Sequence, residues 1–114
     1  MSKKKMTGND TVPELTKKEF EDFIKSDELV LIDFYAEWCM PCMMMSPIID
    51  ELSQKFKDKI KFGKVNVGEE SALGQKYDVS SIPNFVLFEN GKIKERFVGS
   101  ISQEDFEEKL NSVL

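Results

Sequence analysis

Cys39 and Cys42 are the only thiols in the chain, and two residues separate them in the stretch DFYAEWCMPCMMMSP, residues 33–47. Such a pair can ligate a metal, staple a fold, or exchange electrons with another disulfide. As a staple it stabilises little, because so short a spacer closes a very small loop. As a metal centre it is half complete, since a tetrahedral thiolate site needs ligands that only a second copy could supply. Histidine is absent, which removes His-ligated metals, Cys–His pairs and Ser–His–Asp triads together. Electron exchange asks that one sulfur be easily deprotonated, because the thiolate is the attacking form. Cys39 falls where an apolar run gives way to a helical pattern. Unpaired N–H groups of a first helical turn, and the positive end of the helix dipole, favour an anion there. Cysteines so placed have pKa values of roughly 3.5 to 7.5. Cys39 is therefore the expected attacking residue and Cys42, one turn onward, the resolving one. Pro41 suits a first turn, where its missing N–H is no loss. Asp33 is the single charge inside LVLIDFYA. Burial there predicts a raised pKa and proton exchange near neutrality.

The elements that must position these groups follow from periodicity. VPEL, from Val12, reads as a short strand that Pro13 confines to a sheet edge. Thr16 and Glu19 have capping-box spacing, and Phe20, Phe23 and Ile24 follow at helical spacing. ELVLIDFYA reads as a strand buried on both faces. From Cys39 to about Lys57 a helix is predicted, with Met44, Met45, Ile48, Ile49, Leu52 and Phe56 inward and a kink at Pro47. IKFGKVNV reads as a second buried strand, and ESALGQKYDV as a short helix with Ala72, Leu73 and Tyr77 inward. Asn90-Gly91 marks a tight hairpin between two further strands. Ser102 and Asp105 cap a last helix whose apolar face is Phe106, Leu110, Val113 and Leu114. The order is (β)αβαβαββα. It predicts an α/β fold in which helices cover both faces of one central mixed sheet.

The 114 residues suffice for one domain with one core, expected over residues 12–114, behind a lysine-rich disordered arm at 1–11. A net charge of −5 argues against nucleic acid as the main partner. Lys3, Lys4 and Lys5 form the only basic run, which reads as a solvated tail. No apolar run approaches the ~20 residues of a membrane span, and no apolar h-region follows the lysines. A cytoplasmic, monomeric protein is the expectation, and in that compartment a lone CxxC is more often redox-active than structural.

From residue 12 to the end the chain resembles the thioredoxin family. The resemblance rests on WCMPC behind a buried strand, Pro47 in the following helix, Lys64 in the next strand, SIP at Ser81–Pro83, Asn90-Gly91 and Gly99. It implies the thioredoxin fold and the reduction of protein disulfides through Cys39 and Cys42. Asp33 would serve the buried cysteine as proton acceptor, with Lys64 nearby. A cis Pro83 would face the cysteines, with the Ile82 backbone receiving an extended peptide by strand addition. Trp38, Met40, Pro41 and Gly99 would complete the substrate surface. No cofactor is implied beyond the disulfide itself. The implied partners are disulfide-containing proteins and a thioredoxin reductase-type electron donor, since no GxGxxG follows a strand here.

The chain departs from the family pattern in several places. Met40-Pro41 replaces the usual Gly-Pro between the cysteines, which bears on the direction of electron flow. Met43 replaces a common Lys or Arg, and Trp38, Met40 and Met43 are expected to form an apolar, adaptable rim. Tyr35 stands where a second tryptophan is frequent and is expected to be silent for function. Asn84 follows Pro83 where Thr is common and is expected to tune the substrate groove; Gly68, which replaces an acidic residue, has no functional account. Three other functions compete with reduction: oxidation or isomerisation of disulfides, a dimeric thiolate metal or iron–sulfur module, and a scaffold with incidental cysteines. Asp33, Lys64 and Pro83 together speak against the last.

Overall fold

The computed structural model describes residues 11–114; the arm expected over 1–11 lies, but for Thr11, outside the described residues. Eight elements follow in the order α1 (Lys17–Ile24), β1 (Leu29–Tyr35), α2 (Met40–Lys55), β2 (Ile60–Asn66), α3 (Ser71–Lys76), β3 (Asn84–Glu89), β4 (Lys92–Val98) and α4 (Gln103–Ser112). The strands form one mixed sheet in the order β2-β1-β3-β4. β1 runs parallel to β2 and antiparallel to β3, and β3 and β4 form the hairpin. Asn90 and Gly91 turn that hairpin with φ of 54° and 81°, the left-handed pair that a tight two-residue connection needs.

The alternation of side chains along β1 divides the core. Leu31 faces Phe62, Phe85 and Leu87 of the neighbouring strands, under Met45, Ile49 and Leu52 of α2 and Phe106 and Leu110 of α4. Val30, Ile32 and Phe34 face the other way, against Phe20 and Ile24 of α1 and Leu73 of α3. On that second side Phe20, Tyr77 and Phe88 pack as an aromatic group, with centroids 5.1 Å, 5.4 Å and 5.9 Å apart. Because both faces are covered, five consecutive residues of β1, Val30 to Phe34, are buried.

Several local signals behave as their chemistry requires. The Thr16 N–H donates to Glu19 Oε1 at 2.8 Å, and the Asp105 N–H donates to Ser102 Oγ at 3.1 Å. The expected first strand shrinks to one bridge, Glu14 beside Lys64, at the outer edge of β2. Leu15 N–H donates to the Lys64 carbonyl, and Lys64 N–H to that of Pro13, at 2.8 Å and 3.0 Å. Pro13 can accept but has no proton to donate, which is why pairing goes no further.

Three positions depart from the expected pattern. Met44 is 68% exposed while Met45 is 2% exposed; three successive methionines carry no phase of their own, and α2 turns the middle one outward. Ala72 is exposed, since α3 is a six-residue helix that buries only Leu73 and Gly74. Leu114 is half exposed because α4 ends at Ser112. Helix α2 closes at Lys55, and Phe56 becomes its C-cap, donating to the Leu52 carbonyl.

Candidate active site

β1 delivers its C-terminal end to the turn 36–38, and Ala36 accepts the Cys39 N–H at 3.2 Å. Cys39 is then the N-cap of α2, with an extended backbone at φ −98°. Its sulfur accepts the Cys42 N–H at 3.2 Å, and its carbonyl accepts the Met43 N–H at 3.1 Å. The expected use of the first helical turn by the sulfur is therefore present in the geometry. Cys39 and Cys42 are joined as a disulfide, with Cα atoms 5.3 Å apart. Both are almost closed to solvent and pack with Ala36 against Tyr35, Val67 and Ile82. Around them the surface is apolar and open: Trp38 is 76% exposed and Met40 69%.

Asp33 lies on β1 opposite Lys64 of β2 and Phe85 of β3. By alternation with Leu31 it points to the α2 side of the sheet. It is buried, and its Oδ1 has no hydrogen-bond partner among the described residues. Burial pushes its carboxyl up to about 7; the positive charge of Lys64 restrains the rise and Asp50 adds to it. A group so poised can take a proton near neutral pH. Lys64 stays half buried, its Nζ 5.7 Å from the centre of the Tyr35 ring. Tyr35 in turn donates its hydroxyl to Glu14 Oε1 at 2.7 Å.

The Ile82–Pro83 peptide bond is cis, as the resemblance implied. Ile82 touches the cysteine cluster, and the Pro83 carbonyl accepts the Gly99 N–H at 2.8 Å. Gly99 has φ of 93°, and nothing lies within 4 Å of where a Cβ would stand. Its glycine is required by backbone conformation rather than by a close approach.

Two residues near the site, Gly68 and Arg96, were given no role from the sequence. The Gly68 N–H donates to Asn66 Oδ1 at 2.9 Å, and a Cβ on Gly68 would stand 3.8 Å from the Trp38 indole Nε1. The residue without an account in the sequence thus lies beside the exposed tryptophan. Arg96 on β4 donates to the Tyr77 carbonyl at 2.6 Å and to Asn84 Oδ1 at 3.1 Å. Buried Asn84 donates to the Ser81 carbonyl at 3.2 Å, so the cis-proline segment is tied at both ends. No sequence signal marks Arg96, because its partners come from elements far away in the chain. Among the described residues no group of three or more Cys, Asp or Glu side chains is gathered to hold a metal ion.

The family model for thioredoxin matches residues 11–112. A thioredoxin of Rickettsia bellii is 42% identical over 99 residues, which cover 86% of this chain and 94% of that one. A thioredoxin of Rickettsia felis is 44% identical over 79 residues, 69% of this chain and 75% of the other. Thioredoxin Y2, chloroplastic, of Arabidopsis thaliana is 38% identical over 100 residues, 87% of this chain and 60% of the plant protein. With its cysteine pair closed at the mouth of α2, the chain belongs to the thioredoxin family and is a protein thiol–disulfide oxidoreductase.

Proposed function

We propose that the chain runs in the reducing direction, taking electrons from a separate reductase and passing them to disulfides in other proteins. The likeness to thioredoxins over most of the chain carries the direction; the exchange chemistry itself rests on Cys39 at the N-cap of α2, its sulfur already accepting the Cys42 N–H at 3.2 Å. The same donor and the helix dipole hold a thiolate there once the pair is reduced. That thiolate attacks one sulfur of the substrate disulfide, and the other departs as a thiolate. Cys42 then yields its proton to the Asp33 carboxylate and attacks Cys39 Sγ. The mixed disulfide breaks, the second substrate thiolate leaves, and two electrons have passed to the substrate. Support for Asp33 comes from its burial, its unpartnered Oδ1 and a pKa of about 7. Lys64 acts by keeping that carboxyl from rising further.

The substrate lies across Trp38, Met40 and Pro41 on one side and the 82–83 segment on the other, where the Ile82 backbone pairs with an extended peptide. Gly99 holds the Pro83 carbonyl. The proposed working form is a cytoplasmic monomer that needs no cofactor beyond the cysteine pair. Among the described residues no helix is long and apolar enough to cross a membrane.

Met40 between the cysteines keeps one second reading in play, a protein disulfide oxidase or isomerase. The equilibrium reduction potential of the Cys39–Cys42 pair in a dithiothreitol redox buffer separates the two. A value of about −270 mV is expected for a reductase. A value more oxidising by about 100 mV, or about 5 kcal/mol for this two-electron couple, would overturn the reducing direction.

A further inference from the structure

Helix α2 is apolar on two sides. Its inner side buries Cys42, Met45, Ile49 and Leu52. Its outer side carries Met40, Met43, Met44 and Pro47, at the i, i+3, i+4 and i+7 spacing of a single stripe, and all four are exposed. Met40 is 69% exposed, Met44 68% and Met43 41%. Trp38, 76% exposed, adds an apolar side chain on the other side of Cys39 in the chain. No charge interrupts the helix from Met40 to Ile49. A surface helix normally turns polar residues outward, and an unbroken apolar strip on one marks a contact surface. This strip begins at the reactive sulfur, so whatever is joined to Cys39 is already held at its end.

Resting on the reducing direction, we infer that the strip is a docking track for an apolar segment of the substrate a few residues from the cysteine under attack. From Met40 to Pro47 it is about 10 Å long at 1.5 Å per residue, room for about three extended residues. Methionine is flexible and polarisable, so the track accepts many apolar sequences rather than one. The uncharged strip offers nothing to an acidic or basic segment. The preferred substrates are therefore disulfides whose neighbouring residues are apolar, as in unfolded or partly folded proteins where such segments lie open.

Two peptides test this, each carrying one cysteine disulfide-linked to a small thiol. One has Leu, Phe and Val beside the cysteine, and the other has Gly and Ser. Reduction is followed by the fluorescence of Trp38, the single tryptophan. The protein is expected to prefer the apolar peptide by about tenfold in kcat/KM, with the difference in KM. In the double variant Met43→Gln, Met44→Gln the ratio between the peptides is expected to fall to within about twofold. In Met43→Leu, Met44→Leu it is expected to persist. Equal rates on the two peptides, or an unchanged ratio in the Gln variant, would overturn the track. So would a dimer in sedimentation that the Gln variant dissociates, since a second copy would then be the occupant. Failure to reduce either peptide would instead count against the reducing direction itself.

Discussion

Asp33 sets charge against burial in the middle of β1, and that conflict gives it a signature in stability. Its carboxyl ordinarily titrates near 3.8 and in the fold near 7. The folded state therefore keeps a proton that the unfolded chain has released. Stability from this group is whole below about pH 4 and is lost as pH rises to about 7 and beyond, by about 4 kcal/mol. Asp33→Asn should leave the guanidinium midpoint unchanged at pH 4 and raise it clearly at pH 8. The same variant should let the mixed disulfide accumulate, because Cys42 has lost its proton acceptor. Cys42→Ser should trap that mixed disulfide outright, whereas Cys39→Ser should form none; mass spectrometry of the protein after reaction with a disulfide substrate reads both. Asp33 was legible in the sequence because one charge in an apolar run must have a reason. Gly68 beside Trp38 was not, because the contact exists only once β2 has brought the 66–68 turn across to the end of β1.

Among the elements, the boundaries written in capping and turn chemistry were legible. Thr16, Ser102 and Asn90-Gly91 each do locally what their types require, and no distant residue decides the matter. The outward turn of Met44 was not legible. Periodicity assigns a face only where polar residues interrupt the apolar ones, and Cys42 to Met45 contains none. The edge strand at Val12 was legible in place but not in length, since pairing stops at the bridge beside Lys64. The hairpin offers the clearest element-scale prediction. Gly91→Ala must force a side chain into φ of 81° and bring its Cβ to 3.3 Å from Lys25 Cγ. It should lower stability by about 1 kcal/mol, read as a shifted urea midpoint.

For the molecule as a whole, the element order foretold one mixed sheet covered on both faces, and the sheet order β2-β1-β3-β4 realises it. That order brings the end of β1, the start of α2 and the start of β3 together, so residues from 33 to 99 meet at one end of the sheet. It also leaves the two outer strands unlike each other. β2 has the 13–15 segment against its outer side, whereas among the described residues β4 has no strand beyond it. An uncovered strand is a template on which another copy could begin to stack, and a protein kept at high concentration must prevent that. β4 does so with Lys92, Lys94 and Glu95, all exposed, among its seven residues. Lys92→Val together with Lys94→Val should make the protein associate with rising concentration, visible in light scattering. The charges of the last strand, which take no part in electron transfer, would then be what keeps the carrier in solution.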